Sequence, residues 1–436
     1  MNVTRRALIR TTGLGGGIAG VFGAAACAVG GSGGDGTAKQ ALAPATVNFL
    51  NWNAANEMAN LFQAHLFDAV KKDLPQLTIN VIGVPQGEAA AKLITLAAGG
   101  SAPDVALLRP QDISSVYAQK ILAELDPLLK RDAKDVQLDD FFPAAVQRGV
   151  KNGKNYALPF QMAISVPQYN KGLFSSAGLK PPDDTWTWDT YLDAARRLTK
   201  REEGVAPIIG TTAGDYQVFV WSWGGEILDP TQTKFVMDED KATAALQFWA
   251  DLKAKHQVVA LPSDPVLGNG NEQNRFAIGQ LGMYCGGYTI AQMEVLPNVP
   301  PWDCFLMPKG PSNKRVTLSG GPSISMMTDS KVKDGAWAWM KYYVGPEIQR
   351  FAAVDTKQPV ARKSALEAQM KLPATFNRRL QLDSAAFARE MPYVVQYDAF
   401  NKIITDALAT VTSGQKSAPQ AMREIKPQVD TLLAQR

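Results

Sequence analysis

Two glycine-rich stretches near the amino terminus match motifs that carry out chemistry. Residues 15–20 fit the G-x-G-x-x-G of a dinucleotide-binding loop, and residues 30–34 fit the G-x-S-x-G of a hydrolase. A phosphate-binding loop requires a strand before it and a helix after it, and a nucleophile elbow requires a buried strand. Only a short cationic segment precedes the first motif, and Ser32 lies in a composition typical of flexible coil. Neither motif is expected to be catalytic.

The same segment has the pattern of an export signal. Arg5, Arg6 and Arg10 form a positive region, and the apolar run at 13–26 is too short to span a bilayer. The stretch "TRRALIR" resembles the twin-arginine export signal. Residues 1–26 are therefore predicted to be a signal peptide.

The end of that leader predicts a lipid anchor. "GAAAC" resembles a bacterial lipobox, with Ala24 where leucine is usual, so Cys27 is expected to become a lipidated amino terminus. Residues 27–44 are rich in glycine and small residues and are predicted to be a flexible tether. These features predict an exported protein on the outer face of the cytoplasmic membrane, anchored to it but not spanning it.

The net charge of the mature chain does not indicate a nucleic-acid partner. The leader holds three arginines and no acidic residue, so removing it lowers the formal charge from +4 to +1. A balance so close to neutral gives no reason to expect binding to nucleic acid. No later window offers eighteen consecutive apolar residues.

Few residues of the mature chain suit catalysis. His65 and His256 are the only histidines, and no cysteine or spaced carboxylate set accompanies them. Local spacing therefore assembles neither a metal site nor a Ser-His arrangement. We expect no catalytic residue, no metal and no cofactor.

Cys285 and Cys304 leave two alternatives open. In an exported protein they could form a disulfide that closes a loop of roughly twenty residues, worth about 3 kcal/mol. They could equally be two separate buried thiols.

Alternating strand and helix patterns follow the leader. "ATVNFLNWN", "LTINVIGVP" and "APDVALLRP" have the composition of strands, and "NEMANLFQAHLFDAVKKDLP" and "GEAAAKLITLAAGG" between them have helical spacing. This order predicts an α/β fold whose parallel sheet has helices on both faces. Ligands bind at the carboxyl ends of such strands, which here lie at 51–53 and 108–112.

Several longer stretches carry a family resemblance. "YAQKILAELDPLL", "LPFQMAISVPQYNKGLF", "VFVWSWGGEIL", "RFAIGQLGMYCGGYTI" and "GGPSISMMTDSKVKDGAWAWMKYYVGPEIQRFAA" occur in unbroken order. Together the matching stretches span residues 45–433. They resemble the extracellular solute-binding proteins of ABC importers, the maltose-binding-protein-like group.

The resemblance implies a two-lobed periplasmic-binding-protein-like fold. A hinge of several strands would join the lobes, and the ligand would bind in the cleft between them. The first lobe would hold 45–163 and 316–358, and the second 164–315 and 359–436.

Candidate ligand-binding residues follow from strand ends and from the resemblance. Aromatic rings suit the apolar face of a sugar, and planar polar groups suit its hydroxyls. Of Trp221 and Trp223, at most one is expected to face the cleft, and Tyr288 matches a position where the family places a stacking aromatic. Arg109 would pair with Asp112 or with an acidic group of the solute, the internal pair being favoured. The candidates are Asn51, Trp52, Asn53, Arg109, Gln111, Asp112, Gln161, Trp221, Trp223, Gly286, Gly287, Tyr288, Gly320 and Gly321.

By this resemblance the chain is expected to be a monomeric lipoprotein that captures a mono- or oligosaccharide by lobe closure and delivers it to the membrane permease. Three alternatives stay open. One is binding of another polar solute, such as a polyol or a glycerophosphodiester. The second is an exported carbohydrate-active enzyme, which needs two carboxylates about 5 to 10 Å apart across the cleft. The third is a sensory or adhesion lipoprotein.

Overall fold

Strands and helices alternate from residue 45 onward. The computed structural model describes residues 42–52, 57–264, 272–286, 290–296 and 298–435. The strands are β1 (Ala45–Asn51), β2 (Leu77–Gly83), β3 (Val105–Leu108), β4 (Val150–Lys151), β5 (Lys154–Asn155), β6 (Leu158–Pro159), β7 (Ala163–Ile164), β8 (Gln168–Asn170), β9 (Ile209–Thr211), β10 (Leu281–Tyr284), β11 (Trp302–Cys304), β12 (Thr317–Gly320), β13 (Ser323–Met326) and β14 (Ala388–Arg389).

The α-helices between these strands vary widely in length. They are α1 (Glu57–Asp73), α2 (Ala89–Ala98), α3 (Pro110–Ala118), α4 (Asp126–Arg131), α5 (Ala133–Val136), α6 (Pro143–Arg148), α7 (Lys171–Ser176), α8 (Trp188–Leu198), α9 (Tyr216–Ser222), α10 (Asp240–Ala254), α11 (Glu272–Ala277), α12 (Ile290–Val295), α13 (Lys333–Tyr343), α14 (Pro346–Val354), α15 (Lys363–Met370), α16 (Arg379–Ala385), α17 (Tyr397–Thr412) and α18 (Ala418–Ala434).

The first sheet has the order β2-β1-β3-β13-β6. Strands β1, β2 and β3 are parallel, and α1 and α2 supply the crossovers, which confirms the predicted strand and helix order. Strand β13 pairs antiparallel with both β3 and β6, so the sheet is mixed where a parallel one was predicted. The antiparallel strand comes from a distant part of the chain, which local patterns do not reveal.

Helices cover both faces of this sheet because side chains alternate along each strand. Val47 and Phe49 join a core with Phe62 of α1 and Trp339 of α13. Leu50 points the other way, into a core that includes side chains of α2 and α3. Both faces are therefore buried, as expected for parallel strands.

A second sheet, in the order β11-β8-β10-β9, forms a separate α/β layer. Its apolar core combines Met283 of β10 with side chains of α8, α9, α10, α17 and α18. The two helix-covered sheets are the lobes of a two-lobed α/β fold.

Crossing strands join the two sheets. Strand β12 pairs antiparallel with β7 and parallel with β14, and the chain leaves the first sheet after β6 and returns to it at β13. Gly321 lies at this return with φ +138°, and a Cβ there would be 2.6 Å from the carbonyl oxygen of Gln161. Glycine is therefore required by the close approach of the two crossing segments.

Cys285 and Cys304 are free and buried, which corrects the disulfide alternative. Cys304 in β11 and Tyr284 in β10 both pair with Gln168 of β8, so β8 lies between the two cysteine-bearing segments. Two strand spacings place them about 9–10 Å apart. A disulfide requires Cα atoms within about 7 Å, so the chain holds two separate buried thiols.

No helix among the described residues is long and apolar enough to cross a membrane.

Candidate functional site

The carboxyl ends of the parallel strands meet at one edge of the first sheet. Asn51 ends β1, pairs in register with Gly83 of β2 and is buried. Trp52 follows it and is half-buried, and its indole Nε1 is buried with no hydrogen-bond partner among the described residues. Asn53 lies outside the described residues. This edge therefore presents an indole with an unused donor.

Arg109 and Asp112 form a closed pair at the start of α3. The guanidinium Nε and Nη2 donate to the two carboxylate oxygens at 2.8 and 2.7 Å, and the backbone N–H of Arg109 donates to Oδ2 at 3.3 Å. These hydrogen bonds raise the pKa of the Arg109 guanidinium above its ordinary value, against the opposing effect of burial. The favoured prediction that Arg109 pairs with Asp112 is confirmed. Gln111, in the same turn, is half-buried.

The start of α9 brings several polar side chains together in the second lobe. The phenol of Tyr216 and the side-chain amide of Gln217 are buried beside each other, and neither the phenol proton nor the amide oxygen has another partner in the described part of the chain. Burial raises the pKa of Tyr216, and the neighbouring Tyr397 and Asp215 add to the shift. Gly286 lies beside them with φ +126°, where a Cβ would be 3.8 Å from Asp215 Oδ2.

Tyr284 of β10 lies near the start of α9. Burial raises its pKa to about 12, with further contributions from the carboxylates of Glu272 and Asp215. This part of the second lobe therefore combines two phenols, a side-chain amide and two carboxylates.

The start of α17 lies between the first lobe and the start of α9. Helix α3 contacts α17, and the Ser114 hydroxyl donates to the carbonyl of Tyr393 at 2.6 Å. The charges of Asp398 and Tyr397 contribute to the raised pKa of Arg109, and Tyr397 also contributes to that of Tyr216. The start of α17 thus lies close both to Arg109, at the strand-end edge of the first sheet, and to Tyr216 in the second lobe.

A buried ion pair ties residues 388–398, which we call the 388–398 segment, to the first lobe. Arg148 Nε donates to Glu390 Oε2 at 2.9 Å, Nη2 also donates to this carboxylate, and Nη1 donates to the carbonyl of Gln161 at 3.0 Å. The Arg148 side chain is 0% exposed. Lys151 donates to the Ser114 hydroxyl at 2.8 Å, and burial lowers its pKa although Glu390 acts in the opposite direction.

The other predicted residues lie in the hinge or in packed interiors. Gln161 donates to Gln358 at 3.1 Å and joins two crossing segments, while Gly320 is buried in β12, where it pairs with Ala163. Trp221 is 2% exposed, and the Arg389 guanidinium covers its ring at 4.5 Å.

Trp223 packs on Phe248 of α10, with ring centroids 5.1 Å apart. The two tryptophans diverge on a helix and its cap, not on a strand. Gly287, Tyr288 and Cys27 lie outside the described residues.

Sequence reasoning missed the helix starts of the second lobe. Asp215, Tyr216, Gln217 and Tyr397 were not among the candidates. One signal was available, because "AGDYQ" places a glycine and an acidic residue before an apolar helix, a pattern that marks a helix start. The contact of Tyr397 with the first lobe had no comparable signal.

In the part of the chain that the structure describes, no group of three or more His, Cys, Asp or Glu side chains could hold a metal ion.

Two helix-covered sheets joined by crossing strands are the architecture of two-lobed solute-binding proteins. A family model described as bacterial extracellular solute-binding protein matches residues 65–377, and the chain belongs to this family, whose members serve ABC transporters. The family consists of exported binding proteins and not of enzymes.

Individual relatives agree with this assignment. A protein of Brucella abortus named only as a binding protein is 24% identical over 384 residues, which is 84% of this chain and 89% of the relative. An arabinooligosaccharide-binding protein of Bacillus subtilis is 30% identical over 159 residues, or 35% of each chain. The ABC substrate-binding protein Lmo0181 of Listeria monocytogenes, solved with cycloalternan, has the same fold with a TM-score of 0.77 at 20% identity, covering 90% of this chain and 99% of that one.

Proposed function

We propose that this protein captures a mono- or oligosaccharide in an interlobe crevice, bounded by the strand-end edge of the first sheet and the starts of α9 and α17, closes its lobes on it and delivers it to a membrane permease. The observation that carries the proposal is the buried Tyr216 phenol, whose only hydrogen-bonding neighbour among the described residues is the Gln217 side chain. A buried hydroxyl whose own proton has no acceptor costs free energy, and a ligand hydroxyl at this position would supply one.

The groups around Tyr216 suit a sugar. The rings of Trp52 and Tyr397 offer flat apolar surface for carbohydrate C–H faces, and the Gln217 amide oxygen and the Trp52 Nε1 offer one acceptor and one donor for hydroxyls. The relatives that bind an arabinooligosaccharide and cycloalternan support this solute class.

Closure would be a rotation of the lobes about the crossing strands. We place the first lobe at 45–163 and 316–358 and the second at 164–315 and 359–436. Solute bound between Trp52 and Tyr216 would contact both lobes and so favour the closed form, which the permease would recognise.

The earlier candidates differ in how well the structure supports them as solute contacts. Asn51, Trp52, Gln111 and Gly286 lie at the crevice walls, and we retain them together with Asn53, Gly287 and Tyr288. Arg109 and Asp112 are occupied by each other. Gln161, Gly320 and Gly321 support the hinge, and the ring of Trp221 is covered, so we assign these residues and Trp223 to the scaffold.

Export through the twin-arginine route, cleavage before Cys27 and lipidation of that cysteine would hold the protein beside its permease. Metabolic labelling with a radioactive fatty acid tests the anchor. Label should appear in the native protein and be absent from Cys27→Ser, and equal labelling of both would contradict lipidation.

Thermal-shift screening tests the solute class. A ligand at a hundred times its dissociation constant stabilises the native state by about 2.7 kcal/mol, which corresponds to a rise of about 3 °C in melting temperature for a domain of this size. We expect such a rise with at least one member of a panel of mono- and oligosaccharides. Mass spectrometry of the recovered sugar should show it unchanged, whereas cleavage would favour the enzyme alternative.

Two tyrosine variants locate the site by calorimetry. Tyr216→Phe should weaken binding of the sugar found in the screen about threefold to tenfold, the value of one hydrogen bond. Tyr342→Phe removes a hydroxyl that donates to Asp73 at 2.8 Å in the first lobe and should leave affinity unchanged. Equal affinities of the two variants would contradict the assignment of the crevice.

A further inference from the structure

Two helices begin at the crevice, and each carries an acidic residue in its first turn. Asp112 lies in the first turn of α3, and Asp398 in the first turn of α17. The start of a helix carries partial positive charge and commonly binds phosphate or carboxylate groups. In this protein the carboxylates of Asp112 and Asp398 already lie at these two helix starts.

The α3 start would otherwise be well suited to an anion. Arg109 precedes the helix, and its planar guanidinium could donate two hydrogen bonds to a phosphate. Instead, both of those donors are satisfied by Asp112, and the Asp112 side chain is only 4% exposed. The positive charge is therefore neutralised inside the protein before any solute enters.

The surroundings of this pair point to a solute position. Ser114 of α3 donates to the carbonyl of Tyr393, four residues before α17, and the two helices are in contact. Tyr216, which is 7% exposed, lies within the electrostatic influence of Tyr397, and the Gln217 side chain is its only hydrogen-bonding neighbour in the described ranges. Its phenol proton has no acceptor there, which marks where a polar solute would bind.

We infer that Asp112 is a specificity-determining residue that excludes anionic solutes from the crevice by occupying the Arg109 guanidinium and the start of α3. The inference rests on the proposed function, because it takes the crevice as the solute site. It also narrows that function, since it admits uncharged hydroxyl-rich solutes and rejects those that carry phosphate, sulfate or carboxylate groups. A solute anion would have to displace Asp112 and approach Asp398.

The test uses inorganic phosphate as the probe, measured by titration calorimetry on the mature full chain. We expect Asp112→Asn and Asp112→Ala to bind phosphate at least about tenfold more tightly than the native protein, because one bidentate charge-assisted contact becomes available. The double variant Arg109→Gln/Asp112→Asn should lose this gain. Circular dichroism and melting curves of each variant verify that it is folded.

Asp193→Asn is the matched control. Asp193 forms an ion pair with Arg196 at the same three-residue spacing on a helix, 3.3 Å between Nη1 and Oδ1, on the exposed surface of α8. Freeing Arg196 there should not create phosphate binding, because its side chain is 48% exposed and water screens its charge.

Three outcomes would overturn the inference. They are unchanged phosphate affinity in both folded Asp112 variants, phosphate binding by the native protein as tight as by the variants, and a gain that persists without Arg109. None of these readings depends on a sugar. If the sugar screen fails while phosphate binding appears in Asp112→Asn, the exclusion role stands and the carbohydrate proposal falls.

Discussion

Glu390→Gln should strongly destabilise the protein, because it removes the negative partner of a fully buried guanidinium. Arg148 is 0% exposed and Glu390 13% exposed, and the pair is joined by two hydrogen bonds. In the variant the guanidinium stays charged and keeps the carbonyl of Gln161 as an acceptor. Glutamine supplies an oxygen but no charge, so the desolvated cation is left without compensation.

The expected loss is about 3–5 kcal/mol in the free energy of unfolding, the usual cost of removing one partner from a buried pair. For a folded region of this length the melting temperature should fall by about 4–6 °C. Arg148→Met should cost less, because the remaining carboxylate is partly exposed and lies within the influence of Lys151. Arg148→Met/Glu390→Leu should recover most of the loss, since no buried charge remains.

Urea denaturation followed by tryptophan fluorescence measures these differences. Asp406→Asn is the control, because Lys402 and Asp406 form an ion pair of similar length, 2.8 Å, with side chains 74% and 64% exposed. It should change stability by less than about 0.5 kcal/mol. A Glu390→Gln effect no larger than that of the control, or a double variant as unstable as Glu390→Gln, would refute the reasoning.

Three further predictions follow from individual residues. Gly321→Ala should cost at least about 2 kcal/mol in urea denaturation, because its Cβ would be 2.6 Å from the Gln161 carbonyl, whereas Gly153→Ala, with a positive φ but open space, should cost about 1 kcal/mol. In the Cys27→Ser variant, burial and a raised thiol pKa should keep Cys285 and Cys304 unreactive towards a thiol reagent until denaturant is added, when two thiols should titrate; one or none would contradict the free pair. The pKa of Asp132 is held well below its ordinary value by Arg131 and also by Lys341 and Trp337, so Asp132→Asn should be destabilised above about pH 4 and its deficit should shrink in acid denaturation curves as the pH falls further.

Local sequence patterns predicted the first sheet well because its information is local. The alternation of apolar residues in β1 and the helical spacing in α1 and α2 are both visible within windows of fewer than twenty residues. These patterns predicted the succession of strands and helices along the chain as far as β3. The Arg109–Asp112 pair was also predictable, since three residues separate the partners at a helix start. His65 lies on α1, and its ring stacks on Phe351 of α14.

Contacts between distant segments were not predictable from one sequence. The Arg148–Glu390 pair joins residues 242 positions apart, and Ser114 and Tyr393 are 279 apart. The local sequence around each of these residues gives no indication of its distant partner. The same limit explains why the disulfide alternative stayed open, because parity and compartment allow a bridge, whereas the order of strands in the second sheet places β8 between the two cysteines.

The 388–398 segment runs from the crossing strands to the start of α17. It begins at β14, which pairs with the crossing strand β12, and it ends at the start of α17, beside Arg109 and Tyr216. Glu390 lies at the hinge end of the segment and its Arg148 partner is fully buried, while Tyr393 contacts Ser114 nearer the crevice. Because a rotation about the hinge displaces atoms in proportion to their distance from it, opening would separate the Ser114 contact before it strains the Arg148–Glu390 pair. Under the proposed closure, a solute bound against Tyr397 would act on the end of the segment farther from the hinge, and the buried Arg148–Glu390 pair would lie near the pivot.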